Sequence, residues 1–112
     1  MSKFGIYSDK PEVSFESHLS GLEEHAKALL LDLRDFTRSL GSNVIEEIRP
    51  HRIVYAKSLT FRTFLDIQPR NDCLVISVRK GRTETPASYI AKSTQELEGL
   101  KHEIEKTYNT IK

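Results

Sequence analysis

Between Val44 and Ala91 the chain is a succession of short β-forming runs joined by connections too short for a parallel crossover. Val44-Ile45-Glu46-Glu47-Ile48-Arg49 is followed, after Pro50-His51, by Arg52-Ile53-Val54-Tyr55-Ala56-Lys57. Thr60 to Gln68 then turns at Pro69-Arg70-Asn71-Asp72 into Cys73 to Lys80. A shorter fifth run lies near Ser88-Tyr89-Ile90-Ala91, past the loop from Gly81 to Pro86. A parallel neighbour needs a linking segment of about a dozen residues. The sheet open to these runs is therefore an antiparallel meander, each strand beside the next.

Helical periodicity flanks this β segment. Phe15, Leu19, Leu22, Ala26, Leu29, Leu33, Phe36 and Leu40 recur in steps of four and three, which predicts a helix from about 18 to 40. Ala28, Leu30 and Leu31 widen its stripe beyond a coiled-coil seam, as expected of a helix lying on a sheet. Ser20-Gly21-Leu22-Glu23 fits a capping box, Ser14 or Ser17 offers an earlier cap, and Gly41 suits the residue after the C-terminus. At the other end, Ser93 with Glu96 opens a helix from about 94 to 110 whose apolar side carries Leu97, Leu100, Ile104, Tyr108 and Ile111. The fold expected is α+β: a two-layer sandwich in the order α-β-β-β-β-β-α, with both helices on one face of a five-stranded antiparallel sheet. Residues 1–17 mix Gly5, Pro11 and polar residues without a period and read as a leader, leaving 18–112 as a single domain.

Several classes of function are disfavoured. No stretch approaches the roughly 18 apolar residues of a membrane span, and the first ten residues lack the apolar segment of a secretory signal, so a cytoplasmic location is expected. The lone cysteine, Cys73, sits in an apolar strand and is expected to be a buried, inert thiol. His18, His25, His51 and His102 are scattered. The seven-residue step from His18 to His25 exceeds ordinary metal-ligand spacing, so no metal or other cofactor is expected. Glu46, Glu47 and Asp66 near Lys57 are acids of the kind that hold a metal for phosphodiester cleavage, but no phosphate loop or nucleophile motif accompanies them. No enzymatic activity is expected.

Charge supplies the one functional hint. Between Arg49 and Arg82, the basic residues Arg49, Arg52, Lys57, Arg62, Arg70, Arg79, Lys80 and Arg82 stand against only Asp66 and Asp72, although the net charge of the whole chain is +1. Cationic sheet and anionic helices are thus segregated, which favours nucleic acid or an acidic protein as partner. Strand alternation places Phe61, Thr63, Leu65 and Ile67 on a core face with Leu74, Ile76 and Val78, and Arg62, Phe64, Asp66 and Gln68 opposite. The face away from the helices would then carry Arg52, Arg62 and Arg79 as phosphate contacts and Phe64 as a stacking platform for an unpaired base, with Lys57, Lys80 and Arg82 extending the footprint. The alternative is a protein-interaction or homodimerisation domain that uses the same mixed arginine and apolar face.

The order of blocks resembles a known family. An amphipathic helix precedes Arg52-Ile53-Val54-Tyr55-Ala56-Lys57, Phe61-Arg62-Thr63-Phe64-Leu65-Asp66-Ile67 and Leu74-Val75-Ile76-Ser77-Val78, and Ser93-Thr94-Gln95-Glu96-Leu97 opens the closing helix. From about Leu22 to Lys112 this is similar to a small uncharacterised bacterial and archaeal domain family labelled "predicted transport protein". The resemblance implies a domain that occurs alone or at the C-terminus of larger, sometimes nuclease-associated proteins. It implies no catalytic residues, and no membrane segment here supports a transport role.

Overall fold

The amphipathic run that begins at Phe15 folds as two helices. The computed structural model describes residues 14–57, 62–79 and 86–110, with α1 at Phe15–Leu19 and α2 at Glu24–Arg38. Ser14 caps α1, its side chain accepting from the Ser17 N–H, so helix begins at Phe15, ahead of the start expected at about 18. The capping box expected at Ser20 and Glu23 does not form. Glu23 is itself the N-cap of α2, in an extended conformation and without a side-chain cap bond. The break has a physical cause: Gly21 weakens helix propagation, and the Glu23 N–H finds its acceptor outside the helix, at Asn71 O, 2.8 Å away. Arg34 of α2 stacks its guanidinium 3.9 Å from the Phe15 ring centroid, holding α1 against the longer helix. Ala26, Leu29, Leu30, Leu33 and Thr37 face inward, whereas Ala28 and Leu31 are exposed, so the buried stripe is narrower than the composition of the run implied.

The sheet is the expected meander, in the spatial order β1 (Val44–Ile48), β2 (Ile53–Lys57), β3 (Arg62–Arg70), β4 (Cys73–Val78) and β5 (Ala87–Ala91), every neighbour antiparallel. The Arg49 N–H donates to Arg52 O at 2.9 Å and closes the first hairpin around Pro50-His51. Arg70 pairs with Cys73, so the second hairpin turns on Asn71-Asp72 alone, and Pro69 and Arg70, expected in the turn, are strand residues. Pro69 is tolerated there because ladder alternation points its nitrogen away from β4, past the last β2 partner at Ile53↔Ile67.

One irregularity reorders the side chains. Tyr55 pairs with Leu65 but Ala56 pairs with Thr63, so Phe64 is an extra residue on β3, a β-bulge. Beyond it the alternation is reversed. Ile67, Leu65 and Phe64 all face the helices, and Arg62, opposite Lys57, is carried to that same side.

Helix α3 spans Thr94–Thr110 as the periodicity predicts. Its capping box is made: the Glu96 N–H donates to Ser93 Oγ at 3.2 Å, while Glu96 Oε1 accepts the Lys92 N–H at 2.8 Å. Leu97, Leu100, Ile104 and Tyr108 join Leu29, Leu30 and Leu33 of α2 in one core with Tyr55, Phe64, Leu65, Ile67, Leu74, Ile76 and Val78 of the sheet. Both helices thus cover one face, giving the α+β two-layer sandwich. Lys101 of α3 bonds Asp32 of α2 at 3.0 Å and ties the two helices together.

Candidate functional site

The side of the sheet away from the helices follows directly from the register. Across it run Ile45, Ala56 and Thr63; then Glu47, Val54, Asp66, Ser77 and Ser88; then Gln68, Val75 and Ile90; and at the turn end Arg70 and Cys73. Both acids on this side are held by arginines: Glu47 by Arg49 at 2.9 Å and Asp66 by Arg52 at 3.0 Å. Ser77 and Ser88 share a hydrogen bond at 3.1 Å. Val54 and Cys73 are buried within this layer, and Cys73 is the buried thiol expected. Arg70 and Arg79 are exposed and form no ion pair with a described residue.

The residues expected to form one cationic stacking surface do not come together. Arg52 and Arg79 are exposed as anticipated, Arg52 being engaged with Asp66. Phe64 is fully buried, its ring edge-on to Tyr108 at 5.3 Å, and therefore presents no platform to a base. Lys57 lies 4.3 Å over the Tyr108 ring centroid and donates to Tyr108 O at 3.0 Å, on the helix side of the sheet, and Arg62 shares that side. Lys80 and Arg82, like Phe61, lie outside the described residues. The bulge is the physical reason for these corrections. Its signal was present in the sequence, where Phe64-Leu65 puts two large apolar residues side by side in an otherwise alternating strand. Arg70 joins this side because β3 runs two residues further than the expected end at Gln68, and counting by twos from Asp66 and Gln68 reaches it.

A cleft of about 420 Å³ opens at the turn end of the sheet, where three connections converge. Ser17 and His18 come from α1, Ser20, Gly21 and Leu22 from the link that follows it, Pro50 and His51 from the first hairpin, and Gln68, Pro69, Arg70 and Asn71 from the second. Two histidines organise this end. His18 Nε2 bonds Arg49 O and His25 Nε2 bonds Asp72 O, each at 2.7 Å. A carbonyl only accepts, so both Nε2 atoms carry hydrogen and act as donors. The seven-residue spacing between His18 and His25 thus sets one imidazole on each hairpin turn, while exposed His51 and Arg70 both line the cleft.

The three carboxylates weighed as metal ligands are separated. Glu46 faces the helices and accepts two hydrogen bonds from Arg34, at 2.9 Å each, and one from Tyr55 Oη at 2.7 Å. Burial pushes its carboxyl up, but the bonds from Arg34 and Tyr55 outweigh burial and hold it below the usual carboxylate range. Burial first, and then the Glu46 charge, drive the Tyr55 phenol far above its ordinary value. This is a structural network joining α2, β1 and β2. Glu47 and Asp66 lie on the opposite side of the sheet, and no group of three His, Cys, Asp or Glu among the described residues is arranged to hold a metal ion. Among the same residues no helix is long and apolar enough to cross a membrane.

No family model matches the chain, and no curated protein or solved structure is detectably similar to it.

Proposed function

We propose that this chain is a non-enzymatic binding module that takes a single-stranded polynucleotide along the side of the sheet away from the helices. The observation that supports this reading is the distribution of charge there. The acids on that side are each neutralised by an arginine, while Arg70 and Arg79 are left without an acidic partner among the described residues. Arg70 stands opposite Cys73, six positions before Arg79, the residue that follows β4, and at about 3.3 Å per residue the two guanidinium-bearing positions are roughly 20 Å apart. That spacing suits contacts to separated phosphates of one extended strand, with His51 beside Arg70 in the cleft as a further donor. With Phe64 buried, recognition rests on the backbone and is blind to sequence.

The test is fluorescence anisotropy with labelled single-stranded DNA and RNA across a range of salt. Two or three phosphate contacts predict that log K falls with log salt at a slope of about −1.4 to −2. Charge reversal of Arg70 and Arg79 together is expected to abolish binding while leaving thermal stability unchanged. Absence of binding at low salt, or binding indifferent to salt and to both reversals, would remove the proposal.

A further inference from the structure

The two edges of the sheet are chemically unlike, and ladder alternation shows what each offers. In an antiparallel pair, the backbone groups of successive residues point alternately to one neighbour and to the other. The Arg79 N–H donates to Phe64 O at 3.1 Å, which sets the phase: Leu74, Ile76 and Val78 turn their amides and carbonyls toward β5. Their partners are Ala91, Tyr89 and Ala87. The backbone groups of Ser88 and Ile90 therefore point off the edge, where no described strand lies. The window they form is closed at both ends, since Pro86 has no N–H and the Lys92 N–H is already taken by Glu96 Oε1. No charged residue occurs from Ala87 to Ala91, and Ile90 is 58% exposed, the most exposed large apolar side chain among the described residues.

We propose that β5 is a self-association edge, through which two copies of this chain pair antiparallel about a twofold axis at Tyr89. Register selects that axis. A dyad at Ser88 would set Ile90 against Pro86, which has no donor, and a dyad at Ile90 would set Ser88 against Lys92, whose donor is occupied. With the dyad at Tyr89, Ser88 of each copy meets Ile90 of the other, and every outward N–H and C=O finds a partner. The second copy's Ser88 then extends the row that holds Val75 and its Ile90 the row that holds Ser77, so each Ile90 side chain is flanked by the other copy's edge strand and drawn out of water. The opposite edge is charged where β5 is neutral. By the same alternation, fixed by Arg49 N–H to Arg52 O, β1 turns the backbone groups of Val44, Glu46 and Ile48 outward, and a copy paired there would crowd the exposed Glu47–Arg49 ion pair into the seam. Pairing at β5 leaves the side of the sheet away from the helices open, so it is independent of the polynucleotide reading.

Sedimentation velocity from micromolar to millimolar concentration tests this directly. One short edge is a small interface, so the dimer is expected to dissociate on dilution. The mass should rise from that of a 12.9 kDa monomer toward twice that value. Ser88→Pro removes an outward N–H that β4 does not use, and Ile90→Lys places a charge on the edge; each is expected to leave a monomer throughout, whereas Glu47→Lys on the far edge leaves dimerisation in place. Amide exchange supplies a readout on the unmodified protein: Ser88 and Ile90 become protected as concentration rises. A wild-type monomer at every concentration overturns the proposal. So does a dimer that survives both β5 substitutions, or one in which the Ser88 and Ile90 amides exchange freely.

Discussion

Single side chains decide which side of this sheet faces what. Phe64 shows it most plainly, because one extra residue on β3 turns an expected surface aromatic into one of the largest fully buried side chains. Glu46 makes the same point with charge. Its neighbour Glu47 is exposed on the far side with Arg49, while Glu46 is gripped by Arg34 and Tyr55 between the sheet and α2. Because its carboxyl is held below the ordinary value of 4.5, the stabilisation it contributes is fully present above that pH and is lost as pH falls through the lowered folded value. Glu46→Gln is accordingly expected to cost about 2 kcal/mol near neutral pH, and the difference from wild type should shrink in acid. Urea denaturation at a series of pH values measures both; an unchanged difference down to low pH would contradict the role given to the charge.

At the scale of elements, close approach matters more than propensity. Helix α3 was legible to the residue, since its capping box and apolar spacing agree. The first helix was not. Its period continues across Gly21 as though unbroken, and only the hydrogen bond from Glu23 N–H to Asn71 O, supplied by a turn far along the chain, fixes the break. α2 ends at Arg38, capped by Ser39, short of the end expected at about 40, and the chain just beyond it meets another distant element. Gly41 lies against the hydroxyl end of Tyr108, which is packed between Phe64 and Lys57, and a Cβ at position 41 would overlap that hydroxyl. Tyr108 has little room to retreat, so Gly41→Ala is expected to destabilise the fold by about 1 to 3 kcal/mol. Thermal unfolding measures the loss, and Gly41→Ala combined with Tyr108→Phe should recover part of it.

For the whole molecule, a single apolar layer does the stabilising. Strands β3 and β4 lie at the centre of the sheet and pack against both α2 and α3, whereas β1 and β5 have one strand neighbour each among the described residues. Native-state hydrogen exchange should therefore find the slowest amides where β3 and β4 bond each other, as at Asp66 and Ser77, and faster exchange along β1. Equal protection across the sheet would mean that opening is global and that the edges have no separate weakness. The same layering leaves one sheet side and the β5 edge as independent surfaces, one cationic and one neutral.

The order of the strands, the antiparallel meander, the α+β class and the limits of α3 were determined by the amino-acid sequence alone, because they rest on local periodicity, capping and the shortness of connections. What the tertiary structure decided was the facing of particular side chains: Phe64 and Arg62 carried inward by the bulge, Arg70 kept in the strand, and His18 and His25 each set on a hairpin turn. A one-residue shift in strand register reverses every side chain beyond it. That shift is settled by how β2, β3 and the helices pack together, through contacts between residues far apart in the chain.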